Sequence, residues 1–350
     1  MSAPAPRRRS ARRRRALAAA AAAALAGLGV LALDLPGAQA ENGRVGVATA
    51  TVPPTRTRLV VMPGVAGRVT VVTDLRYASA SPSEVLDLLL PPHAGRRIPL
   101  VIYIHGGAFL EGDKAESGPV AQALLRSGYA VASINYRMTG EARYPAAVQD
   151  AKAAVRRLRA DARTYGLRPD RFAVWGESAG GYLAAMVGAT GSQRTVFDAP
   201  QLGHATTSSA VQAVVDEYGP TDFLTMDADS VDPGGCPGDW WMRHDEPDSA
   251  DSRWLGGALP SIPAVARAAS PLTYVARAAR GTLPAFAIDH GDEDCTVPYA
   301  QSLALVRALR ARKAPVSFTL VPGAGHSDDR LHDLMTPPIV RWLHTVLDRR

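Results

Sequence analysis

Short apolar runs alternate along this chain with longer stretches in which apolar residues recur at helical spacing. Leu100-Val101-Ile102-Tyr103-Ile104 is apolar throughout and rich in β-branched residues. That pattern belongs to a strand buried on both faces of a parallel sheet. Ala130 to Tyr136, Phe172 to Trp175, Val211 to Tyr218, Leu283 to Ile288 and Val316 to Val321 read as further strands. Val69 to Tyr77 and Glu84 to Leu90 form an earlier pair, split by the turn Ser79-Ala80-Ser81-Pro82. Helices are expected over Pro119 to Arg126, from Tyr144 to Tyr165, over Tyr182 to Val187, from Pro298 to Arg312 and over Pro338 to Asp348. In the second of these, Ala147, Ala151, Ala154, Val155 and Leu158 make the apolar stripe, while Arg156, Arg157, Arg159 and Arg163 read as a solvated face. Such alternation predicts an α/β fold: a mostly parallel sheet of about eight strands with helices on both faces.

The rhythm lapses twice. Residues 41–67 are rich in Thr, Pro, Gly and Val without period and read as a tether into a domain spanning 68–350. Residues 223–269, rich in Asp, Pro, Gly and Trp, read as a cap-like insertion that shapes a pocket above the sheet. Its Trp240, Trp241 and Trp254 either stack on a bound group or pack the insertion down.

Composition alters this picture at the N-terminus. The chain has 350 residues, 47% of them hydrophobic, enough for one large core. Its formal charge of +6 resides in residues 1–40, which hold seven arginines against Asp34 alone, so that residues 41–350 carry 32 basic and 32 acidic residues. A neutral domain gives no case for a nucleic-acid partner. Arg7 to Arg9 and Arg12 to Arg15 precede an apolar run from Ala16 to Leu33, and Ala38-Gln39-Ala40 makes a cleavage box. Residues 1–40 therefore read as an export signal cut after Ala40, the alternative being an uncleaved anchor over 16–33. Export places Cys236 and Cys295, the two cysteines of the chain, in an oxidising compartment where a disulfide is expected.

The chemistry gathers where strands end. Gly176-Glu177-Ser178-Ala179-Gly180 is a G-x-S-x-G motif between a strand and a helix. Such a turn strains the serine backbone and lifts its hydroxyl out of the sheet, above a helix N-terminus that favours developing negative charge. His326 lies in the glycine-rich loop after the last strand and is the candidate base. The remaining histidines, His93, His105, His204, His244, His290, His332 and His344, lack this position or read as loop structure. Asp292, Glu293 and Asp294 are candidate acids, clustered after the strand that precedes the last. His105-Gly106-Gly107-Ala108 follows the Leu100–Ile104 strand and offers backbone N–H groups to a cleft. Cysteines and histidines are not clustered at ligand spacings, so neither metal nor cofactor is implied.

The His-Gly-Gly turn, the G-x-S-x-G motif and the order serine, acid, histidine resemble the α/β-hydrolase fold, and more narrowly the hormone-sensitive-lipase-like and feruloyl-esterase-like (BD-FAE-like) carboxylesterases. The run from Asn135 to Gly181 carries most of the likeness. Ala108 stands where those enzymes usually have a third glycine. Their pattern His-Gly-x-x-Asp-x-x-Val-Pro falls on His290, Gly291, Val297 and Pro298 and implies Asp294 as the acid. The resemblance implies Ser178 as nucleophile, His326 as base and the Gly107, Ala108 and Ala179 N–H groups as the oxyanion hole. It implies short-chain or aromatic acyl esters as substrates, free or on a polysaccharide. The alternatives are a prolyl-oligopeptidase-type peptidase, acyl transfer to an alcohol, and an inactive binding protein on the same scaffold. The sequence leaves the acyl and alcohol specificity and the oligomeric state open.

Overall fold

The strands, in chain order, are β1 (Arg56–Val61), β2 (Arg68–Arg76), β3 (Val85–Leu90), β4 (Ile98–Ile104), β5 (Ala130–Ile134), β6 (Leu167–Glu177), β7 (Ala213–Glu217), β8 (Ala285–Gly291) and β9 (Val316–Val321). The computed structural model describes residues 54–92, 97–230 and 242–348. The leader, Cys236, Trp240 and Trp241 lie outside the described residues, and with them the export signal and one half of the expected disulfide. Among the described residues the strands form one nine-stranded sheet in the order β1-β2-β3-β5-β4-β6-β7-β8-β9. The first three pairings, β1 with β2, β2 with β3 and β3 with β5, are antiparallel, and all the others are parallel.

Two-sided burial follows from the apolar runs. Leu100, Ile102 and Ile104 of β4 enter one core, and Val101 and Tyr103 enter the other. Each such side chain, fully buried, contributes about 1.5–3 kcal/mol relative to exposure. The helices are α1 (Gly118–Arg126), α2 (Ala146–Ala160), α3 (Ala179–Thr190), α4 (Met226–Asp229), α5 (Ala250–Leu255), α6 (Pro263–Ala269), α7 (Pro271–Arg277), α8 (Ala300–Ala311) and α9 (Asp329–Leu347). Residues of α1 and α9 join the core with Val101; those of α2, α3, α7 and α8 join the core with Ile102. Every residue of α3 is buried, as befits a helix apolar all round. That helix carries the serine turn and is therefore clamped on all sides.

The structure corrects several sequence expectations. Residues 56–61 of the expected tether form edge strand β1, antiparallel to β2, which raises the sheet from eight strands to nine. The last helix begins at Asp329, not Pro338, with Pro337 and Pro338 inside it. Asp328 caps it by accepting from the Arg330 N–H at 2.9 Å, and Leu331, Met335 and Ile339 bury one stripe through the proline pair. The arginine face of α2 is only partly solvated. Arg156 is buried and donates to the Ala199 and Gly203 carbonyls. Arg159 lies over the Phe172 ring and donates to the Ala210 carbonyl. The insertion shares the main core through Phe223, Trp254, Leu259 and Ala266. Trp254 is fully buried and stacks on Phe109 at 3.9 Å between ring centroids, so it packs the insertion down.

Candidate active site

The serine turn exists because glycine surrounds it. A Cβ on Gly180 would collide with the Ile104 carbonyl, and one on Gly176 with the Gly180 carbonyl. No larger residue lets β6 turn this tightly into α3. Ser178 takes φ 53° and ψ −123°, a strained conformation that the burial of α3 holds in place. Its N–H donates to the Glu217 carbonyl at 2.9 Å, which fixes the turn to β7.

The loops after β8 and β9 bring two more side chains to this serine. His326 Nε2 lies 3.0 Å from Ser178 Oγ, and His326 Nδ1 lies 2.7 Å from Asp294 Oδ2. Asp294 is buried, and its other oxygen accepts the Thr296 and Val297 N–H groups, each at 2.8 Å. Burial pushes this carboxyl upward, but the His326 and His290 rings outweigh burial and hold it well below the usual carboxylate range. His290 also lies 3.2 Å from Asp294 Oδ2, while its ring nitrogens meet Ser302 Oγ and the Val297 carbonyl at 2.7 Å. The neighbouring acids do other work. Asp292 accepts the Gly323 N–H at 2.6 Å and so ties the loop after β8 to the loop after β9, and Glu293 is exposed.

Ala108 and Ala179 line the same cavity as Ser178; Gly107, though adjacent, does not. Ala179 is the first residue of α3, so its N–H has no acceptor within the helix. Ala108 and Phe109 both take positive φ, 52° and 62°, in the turn that follows β4. The cavity encloses about 460 Å³ of empty space, part of it open to solvent. Phe109, Pro220, Met226 and Val297 give it apolar walls, and Arg243, His244 and Asp251 add charge from the insertion.

Three sets of residues around the serine carry no sequence signal of their own. Tyr218 packs edge-on against His326 at 5.0 Å between centroids, and its hydroxyl donates to Glu177 Oε2 at 2.8 Å. Glu177, inside the G-x-S-x-G motif, also accepts from the Tyr103 hydroxyl and lies 3.5 Å from His332 Nε2. Glu217 and Asp289 sit side by side on β7 and β8, fully buried, and burial pushes both carboxyls well up. Among the described residues, Glu177, Glu217 and His332 are the group whose ligand atoms could hold a metal ion, all within 4.8 Å of one another. Trp175 Nε1 donates to Glu217 Oε2 at 2.7 Å, so each of the two glutamates already has a protein donor. The third set is His244 with Asp251, from a region without periodicity.

A mostly parallel sheet with helices on both faces and a strained serine at a strand-to-helix turn is the α/β-hydrolase fold. Within that fold the chain belongs to the BD-FAE family, whose model matches residues 86–309. It is 32% identical over 261 residues to esterase LipQ of Mycobacterium tuberculosis, covering 73% of this chain and 57% of LipQ. It is 30% identical over 259 residues to esterase LipC of the same organism, covering 72% of this chain and 58% of LipC. The chain thus spans somewhat more than half the length of these relatives. Among solved structures, a truncated carbohydrate esterase from gut microbiota superposes with a TM-score of 0.70 at 28% identity, covering 80% of this chain and 96% of that one.

Proposed function

We propose that the chain is an exported serine carboxylesterase that hydrolyses short-chain or aromatic acyl esters, free or on a carbohydrate. The observation that carries this reading is the hydrogen-bonded line from Asp294 through His326 to Ser178, opening on an apolar cavity. The esterase names of LipQ and LipC and the carbohydrate esterase among similar structures support the reaction class and the substrate class.

His326 Nε2 takes the proton of Ser178 as Oγ attacks the ester carbonyl. Asp294, ionised and paired with Nδ1, holds the tautomer that leaves Nε2 free to accept, and it stabilises the imidazolium that forms. The Ala108 and Ala179 N–H groups, with Gly107 beside them, stabilise the tetrahedral oxyanion. Loss of one such donor costs on the order of 3 kcal/mol of barrier. The imidazolium then protonates the leaving alcohol. Water, deprotonated by the same ring, releases the acid and restores Ser178. The cavity walls of Phe109, Met226 and Val297 suit a short chain or a flat ring. Export and a Cys236–Cys295 disulfide belong to the same proposal, supported by the leader and by the lack of a free cysteine among the described residues.

The experiment uses the chain recovered from culture medium and a p-nitrophenyl series from acetate to decanoate plus a ferulate ester. The expected results are an N-terminus at Glu41, a Cys236–Cys295 peptide in the non-reducing map, and turnover that declines with acyl length. Ser178→Ala should lower kcat/KM by about 10⁴-fold or more. A folded protein that turns over no ester, or a Ser178→Ala variant with undiminished rate, overturns the esterase reading. Retention of the leader and free thiols would overturn the export and disulfide parts separately.

A further inference from the structure

His244 is read as loop structure from sequence, yet the fold builds it into the cavity wall. It is buried, and both ring nitrogens face acceptors: Nδ1 lies 2.6 Å from Asp251 Oδ2, and Nε2 lies 3.0 Å from the Thr296 carbonyl. An ionised carboxylate and a backbone carbonyl can only accept, so this geometry is satisfied only when each ring nitrogen carries a hydrogen. The residue is held from behind as well. Its N–H donates to Asp227 Oδ1 at 2.8 Å, and its carbonyl accepts from the Ser249 and Ser252 hydroxyls. What it grips matters more. The Thr296 N–H donates to Asp294 Oδ1, and Asp294 Oδ2 faces His326. Asp251, His244, Thr296, Asp294, His326 and Ser178 are therefore linked by hydrogen bonds and the Thr296 backbone, from α5 of the insertion to the reacting hydroxyl.

Resting on the esterase reading, we infer that His244 is a positioning residue: its imidazolium form ties the insertion to the Asp294 loop, and turnover falls at alkaline pH when it gives up a proton. The groups that face it are Asp251 of α5 and Asp227 of α4, with Arg243 and Asp245 as chain neighbours and Asp294 beyond the Thr296 peptide. Burial pushes the ring toward the neutral form, but the Asp251 bond and charge, the Asp227 charge and the Thr296 carbonyl outweigh it and raise its affinity for the proton. The charged form thus persists above the usual histidine range and is lost as pH rises further. The neutral ring keeps Nδ1–H on Asp251 and turns an Nε2 lone pair on the Thr296 carbonyl. That repulsion loosens the peptide holding Asp294, so kcat falls while KM changes little.

The test is the pH profile of kcat on p-nitrophenyl acetate for the wild type, Asp251→Asn and His244→Gln. The wild type should show an alkaline limb. Asp251→Asn removes the anion that favours the charged ring and should move that limb down by about one pH unit or more. In His244→Gln the amide still donates to the Thr296 carbonyl but does not titrate, so the limb should vanish with kcat kept within about tenfold. A wild-type profile without the limb, or one that Asp251→Asn leaves in place, overturns the inference. Nitrogen-15 NMR of the wild-type imidazoles decides the charge without any turnover. Two N–H resonances for His244 at about pH 7.5, above the ordinary histidine range, support the inference, and a single one overturns it. Absence of ester turnover with two N–H resonances would instead count against the esterase reading.

Discussion

Single residues carry the chemistry, and they differ in how far the sequence exposes them. Ser178 and His326 stand out because a motif and a glycine-rich loop mark them, and the fold sets them 3.0 Å apart. The acid stands among three adjacent candidates, and burial separates them: Asp294 faces His326, Asp292 holds the Gly323 N–H, and Glu293 faces solvent. Asp294→Asn should therefore lower kcat by on the order of 10³–10⁴, because an asparagine neither fixes the tautomer nor stabilises the imidazolium. In Asp292→Asn the side-chain carbonyl can still accept the Gly323 N–H, so the loss should stay below about tenfold. Comparable losses in the two variants, measured on the same ester, would contradict this assignment. His244 carries no sequence signal, for a physical reason. Its partners Asp251 and Thr296 come from a region without periodicity and from a different loop, and only the folded chain brings them together.

At the scale of elements, the parallel strands were legible because burial on both faces demands continuous apolar runs, as in β4. β1 gave no such signal. Its residues are mostly exposed, and its place comes from backbone pairing with β2. The sequence points to Pro338 as the start of the last helix because proline favours the first turn, whereas the Asp328 cap and the buried stripe begin α9 nine residues earlier. That helix bears His332 against Glu177, and the contact has a pH signature. The Glu177 hydrogen bond outweighs partial burial and pushes His332 up to about 9. A raised histidine stabilises the fold fully below its ordinary range, near 6.5, and that contribution is lost as pH rises through about 9. The ring is partly exposed, so after solvent screening the effect is about 1 kcal/mol or less. The Tm of the wild type should fall more steeply than that of His332→Gln between about pH 7 and 10. Asp289, pushed up by burial, also loses stability as pH rises, but it does so in both proteins; Glu217 feels the His332 charge, so its response belongs to the same contact. Parallel Tm curves would show that the contact contributes nothing.

For the whole molecule, one sheet with two unequal helical layers places every candidate site residue at the same edge. β4, β6, β8 and β9 run parallel, so the loops bearing Ala108, Ser178, Asp294 and His326 all leave at their C-terminal ends. That convergence was legible from the order of strands and motifs. The walls of the cavity were not, since about half of their residues come from an insertion whose packing depends on Trp254 and Phe109 meeting across the fold. The most direct measurement is active-site titration with a p-nitrophenyl phosphonate ester, which mimics the tetrahedral species and stays bound to the attacking oxygen. One equivalent of nitrophenol should be released per chain, with the phosphonate on Ser178 in the peptide map, and His326→Gln should slow labelling by on the order of 10³-fold or more. Label on another residue, or ester turnover that survives full labelling of Ser178, would contradict the assignment of Ser178 as the nucleophile.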